Sequence, residues 1–116
     1  MKIAERGFLV VLSLASLVYA ASSAHLIPNL YSLLFGKVFL GSSKTLELTL
    51  TNTGHASGTI GSITINGLDP KDFSTVAGGT CTPTLVLQPG KSCILKIAFA
   101  PKAVGDRNAT LNVALK

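Results

Sequence analysis

From Lys44 to Asn52 the chain alternates without exception: Leu46, Leu48 and Leu50 take one side, and Thr45, Glu47, Thr49 and Thr51 the other. A period of two is the repeat of an extended strand, whose successive side chains point to opposite faces. A strand that is oily on one side only belongs in a half-buried sheet. The same pattern returns twice. In Ser92 to Ala100, Cys93, Leu95, Ile97 and Phe99 oppose Ser92, Ile94, Lys96 and Ala98; in Arg107 to Leu115, Ala109, Leu111, Val113 and Leu115 share a face. A layer greasy on one side needs a second layer to cover it.

The remaining stretches supply that second layer. Leu33 to Leu40 reads as a strand with Gly36 inside, and a glycine there marks a bulge that shifts the alternation by one. Leu33, Phe35, Val38 and Leu40 then share a face, with Leu34, Lys37 and Phe39 on the other. Thr59 to Asn66 carries Ile63 and Ile65 on one side, Asp72-Phe73 begins a short strand with Phe73 expected to plug the core, and Thr82 to Leu87 reads as a further short strand. Turn signals separate them: Gly41-Ser42-Ser43, Asn52-Thr53-Gly54-His55, Gly67-Leu68-Asp69-Pro70, Gln88-Pro89-Gly90-Lys91 and residues 101–106. No stretch after the first two dozen residues has the length and 3.6-residue period of a helix. About seven short strands in a chain of 116 residues predict one all-β domain, an immunoglobulin-like seven-stranded sandwich over residues 33–116. Residues 25–32, interrupted by Pro28, form a lead-in segment suited to a sheet edge.

The first 24 residues read differently. Lys2 and Arg6 precede an apolar run, Phe8 to Val18, of the length a secretory leader uses and too short to span a bilayer. Val18-Tyr19-Ala20 and Ser22-Ser23-Ala24 both present tolerated residues for cleavage, after Ala20 or Ala24. Residues 1–24 are therefore expected to be a cleaved signal peptide, and the product secreted, periplasmic or at the cell surface. Membrane attachment is expected only through an uncleaved leader.

An exported chain meets an oxidising compartment, where the two cysteines, Cys81 and Cys93, read as a disulfide. A structural zinc site takes about four ligands, and only His25 and His55 could join the two thiols. There is no C-x-x-C for redox chemistry. The formal charge is +5, and beyond Lys2 and Arg6 the cations are spread singly from Lys37 to Lys116, without the clustered basic footprint of a nucleic-acid binder.

Catalytic signals are scarce. Asp69 and Asp72 lie close in sequence beside Pro70, where turn formation and a solvated charge are the expectation. His55 sits in a turn. His25 would stand at the new N-terminus after a cut at Ala24, where amine and ring could hold copper, yet further ligands at a readable spacing are lacking. There is neither a G-x-S-x-G elbow nor a phosphate loop. Asn108-Ala109-Thr110 fits a glycosylation acceptor inside an expected strand. No cofactor is expected, and no enzymatic activity.

Taken in order, Leu33-x-Phe35-Gly36-x-Val38, Gly41, Leu50-Thr51-Asn52-Thr53-Gly54, Asp72-Phe73, Cys81, Leu87-x-Pro89-Gly90-x-Ser92-Cys93-x-Leu95-x-Ile97-x-Phe99-x-Pro101 and Gly105-x-Arg107-x-Ala109-x-Leu111 resemble the bacterial choice-of-anchor D domain. That family stands with the ASH-type domains of the abnormal spindle and hydin proteins and with major-sperm-protein-like sandwiches. The resemblance spans about Leu30 to Leu115 and implies a seven-stranded immunoglobulin-like sandwich, a Cys81–Cys93 pairing, and no catalytic residues. For bacterial relatives it implies export and repetition within long surface proteins. A lone domain with no sorting tail after Leu115-Lys116 is expected here, which would depart from that pattern, as do Leu34 and Phe39, where small or polar groups are more usual.

The expected function is that of an exported binding or structural module contacting another exported protein, or itself, through an edge strand or an apolar patch. Leu34, Phe39, Ile94 and Tyr31 are the candidate surface. A carbohydrate- or envelope-binding domain is the alternative. It would need an aromatic platform, for which Tyr31 is the one tyrosine beyond the leader in a chain without tryptophan.

Overall fold

The computed structural model describes residues 3–15, as backbone, and residues 24–116. The expected cut after Ala20 and the residues just before it lie outside the described residues. Nine strands are present among the described residues: β1 (Ile3–Ala15), β2 (Leu26–Pro28), β3 (Ser32–Phe39), β4 (Lys44–Asn52), β5 (Gly58–Asn66), β6 (Phe73–Thr75), β7 (Val86–Leu87), β8 (Ser92–Phe99) and β9 (Asp106–Leu115). They form two sheets, ordered β3-β1-β9-β5-β7 and β2-β4-β8-β6. The described residues are thus all-β in two layers, with nine strands rather than seven. The excess comes from the N-terminal side: Leu26–Pro28 of the lead-in segment pairs with Leu50–Asn52, and Ile3–Ala15 lies between β3 and β9.

Every pairing is antiparallel except that of β1 with β9, which is parallel, from Arg6 opposite Asp106 to Ala15 opposite Ala114. The long strands fall where period-two alternation placed them. β4 pairs with β8 from Lys44–Phe99 to Thr51–Ser92, which puts Leu46, Leu48 and Leu50 on the same face as Cys93, Leu95, Ile97 and Phe99. The facing layer contributes Leu33, Phe35 and Val38 from β3, Ile60 from β5, and Ala109, Leu111 and Val113 from β9. Burying this aliphatic and aromatic surface is the main favourable term holding the two layers together.

An aromatic cluster ties the layers at one end. Phe35 of β3 lies 5.5 Å from Phe99 and 5.7 Å from Phe73, and Phe73 stacks on Phe99 at 4.8 Å. Phe73 plugs the core as expected, although Asp72 belongs to a 3-10 turn over Pro70–Asp72 and the strand starts one residue later. Thr82 to Leu87 is strand only at Val86–Leu87.

Gly36 has φ of +70°, and no atom lies within 4 Å of where its Cβ would sit. Backbone conformation, not space, asks for glycine there. The kink re-phases β3: Leu33 and Phe35 before it and Val38 after it all point inward, leaving Leu34, Lys37 and Phe39 outside. Leu40, expected inward, is only half-buried in the turn beyond the strand.

Candidate binding surface

Each open sheet has two edges, and an edge strand carries a row of backbone donors and acceptors without a partner. Among the described residues three of the four edges are short, since β2, β6 and β7 have three, three and two residues. β3, with eight residues, is the long one. Its outer face shows Leu34, 68% exposed, and Phe39, 43% exposed, and Tyr31, 59% exposed, stands one residue before the strand beside the exposed Leu30. Lys37 is the charged group on that strand.

Ile94 does not join them. It is 37% exposed on the outer face of β8, opposite Thr49 of β4, and therefore belongs to the other sheet. The outer faces of a two-layer sandwich look in opposite directions, so the four candidate residues form no single patch. Alternation along each strand shows which residues face out, but not which layer a strand joins.

The disulfide is formed between Cys81 and Cys93. Both residues are buried, and the bond ties the loop after β6 to the start of β8. The Thr80 hydroxyl accepts a hydrogen bond from the Ile94 amide at 2.9 Å, and the amides of Thr80 and Cys81 both donate to the Ile94 carbonyl. Gly79 passes so close that a Cβ on it would meet that carbonyl oxygen at 2.6 Å. This loop borders a cleft of about 360 Å³ lined by Ile63, Val76, Pro83 and Lys96, among others.

Two polar centres escape a simple reading of the turns. Asn52, fully buried, brackets three loops. Its Oδ1 accepts the amides of His25 (3.1 Å) and Gly54 (2.9 Å), and its Nδ2 donates to the carbonyls of Ala56 and Leu87, both at 2.9 Å. Its own backbone closes the bracket, with its amide donating to Lys91 and its carbonyl accepting from Gly90. A buried amide with all its groups matched fixes geometry without a desolvation debt. His25 is thereby engaged in this bracket.

The second centre corrects the expectation for Asp69 and Asp72. Asp72 is buried, not solvated: its Oδ2 accepts Arg107 Nε at 2.6 Å, and Arg107 also lies 3.3 Å from Asp69 Oδ1. Asp69 Oδ2 in turn accepts the Asn108 amide at 2.8 Å. The two carboxylates therefore hold the Pro70 turn against β9. The hydrogen bond to Asp72 raises the Arg107 pKa, outweighing burial, which lowers it. A cation whose folded value is raised lends its full stabilisation below its unfolded value and loses it only above. The lost range is thus strongly alkaline, and Arg107 keeps its charge through all ordinary pH.

Both centres left a trace in the sequence. Asn52 continues the phase of Leu46, Leu48 and Leu50, and Arg107 continues that of Ala109, Leu111 and Val113. A polar residue in phase with a buried stripe needs an internal partner.

Among the described residues no group of three or more His, Cys, Asp or Glu side chains is placed to hold a metal ion. No curated protein and no solved structure matches the chain. The family described as HYDIN/CFA65/VesB-like, Ig-like domain matches residues 29–116, from just before β3 to the last residue. The two-layer sandwich and that match agree: the chain belongs to the HYDIN/CFA65/VesB-like family of Ig-like domains.

Proposed function

We propose that this domain is an exported, non-catalytic binding or structural module that contacts another envelope or secreted protein through β3. The observation that carries the reading is the combination on that strand: it is the long edge among the described sheet edges, and it shows Leu34 and Phe39 on its outer face with Tyr31 beside them. Edge strands recruit partners through main-chain hydrogen bonds, and flanking side chains give specificity. An Ig-like family is compatible with such a role. The charged start and apolar run of residues 1–24 support export to the periplasm or beyond, and the disulfide fits an oxidising compartment. The likeness to choice-of-anchor D domains supports a place at the cell surface.

The double variant Leu34→Ser with Phe39→Ser tests this. Both side chains point outward, so the core is untouched. Partner retention in a cross-linked pull-down from the envelope fraction, or oligomer size if the partner is a second copy, is expected to fall at least about tenfold, as for loss of apolar anchors at an interface. Unchanged retention together with unchanged oligomer size removes β3 as the contact.

A further inference from the structure

β1 is an interior strand. It pairs with β3 on one side, from Ile3–Phe39 to Val10–Ser32, and with β9 on the other. Yet Ile3–Ala15 lies within the segment that reads as a cleavable leader. We propose that the space between β3 and β9 is a strand-acceptor seat, occupied by Ile3–Ala15 before processing and afterwards by an extended aliphatic segment of a different exported chain, running parallel to β9. This rests on the export reading above and deepens it.

The seat cannot close easily by sliding β3 onto β9. Two strands flanking a third stand roughly 10 Å apart, so direct pairing asks for a shift of about 5 Å. β3 is pinned against it. Phe35 is fully buried between Phe73 and Phe99 of the opposite sheet. Ahead of β3, Asn29 is fastened to Thr49 of β4 twice, its amide donating to the Thr49 carbonyl and its Oδ1 accepting the Thr49 amide, both at 2.9 Å. An emptied seat therefore presents two facing rows of backbone donors and acceptors, which only another strand can match along their length.

The walls state the chemistry of the occupant. The flanking strands turn Leu33, Phe35 and Val38, and Ala109, Leu111 and Val113, toward the core, so a filler must place an apolar side chain inward at every second residue. The present filler is apolar from Phe8 through Leu12, and aliphatic from Leu9 on. A second copy is a poor source, because from Leu26 onward its long aliphatic runs are strands of its own sandwich.

The test uses the chain as cells process it. The full-length chain is expressed with its own leader, recovered outside the cytoplasm, and its N-terminus read by intact mass. Amide exchange of residues 32–39 and 106–115 is then followed with and without a synthetic peptide of the sequence Ile3–Ala15. A processed chain is expected to bind one peptide, with exchange in both strands slowed at least about tenfold, and the same peptide carrying Leu9→Pro is expected to do neither. A processed chain whose two strands are already protected and which takes no peptide overturns the seat. So does an exported chain that keeps residues 3–15, a result that leaves export itself standing. The compartment in which the chain accumulates reads the export claim separately.

Discussion

Asn52 shows how much one side chain can organise. Its amide joins the start of β2, the turn after β4 and the strand at Leu87, stretches far apart in sequence. Replacing it by alanine leaves two amides and two carbonyls without that partner, the Leu87 carbonyl buried and the other three groups part-buried, and an unmatched buried group costs about 1–3 kcal/mol. With water replacing part of the loss, Asn52→Ala is expected to lower stability by about 3 kcal/mol. Urea unfolding should show this as a lower midpoint at an unchanged slope, since the surface exposed on unfolding stays the same. Arg107 plays the matching part at the other end of its strand, spanning Asp69 and Asp72. Both residues were visible as polar positions in phase with a buried stripe. Their partners were not, because Asn52 reaches Leu87, and Arg107 reaches Asp72, across 35 positions of chain that only the folded topology closes.

The elements were legible where they were long and one-sided. β4, β8 and β9 sit where alternation put them, and the Gly36 kink re-phases β3 as a bulge there predicts. The short elements were not, because two or three residues are too few to show a period: Thr82 to Leu87 shrinks to Val86–Leu87, and the strand expected from Asp72 starts at Phe73 after a 3-10 turn. In these poorly patterned stretches the disulfide holds what few backbone pairs can. Cys81 and Cys93 close a loop of separation 12, for which the chain-entropy argument gives about 3 kcal/mol. The double variant Cys81→Ser with Cys93→Ser is expected to lose roughly that amount in chemical denaturation while keeping its sheet signal by circular dichroism. A loss well under 1 kcal/mol would mean that the loop is ordered by its backbone hydrogen bonds alone.

At the scale of the whole molecule, the two-layer plan follows from the apolar stripes, but the assignment of strands to layers does not. Leu34 and Ile94 each read correctly as outward, and only the topology shows that they look away from one another. The candidate surface accordingly contracts to β3 and the residues before it. The N-terminal segment holds the larger surprise: its apolar run carries no alternation to announce a strand, yet its backbone pairs on both sides within the first sheet. A run this densely apolar suits a leader and equally suits a strand, and periodicity does not separate the two. The claim that β3 is where this domain meets its partner is tested most directly by placing a photoreactive residue at position 34 in living cells, with position 71, exposed on the Pro70 turn, as the control. A discrete cross-link to another exported protein is expected from position 34 and none from position 71. Equal cross-linking from both positions, or none from position 34, removes β3 as the meeting place.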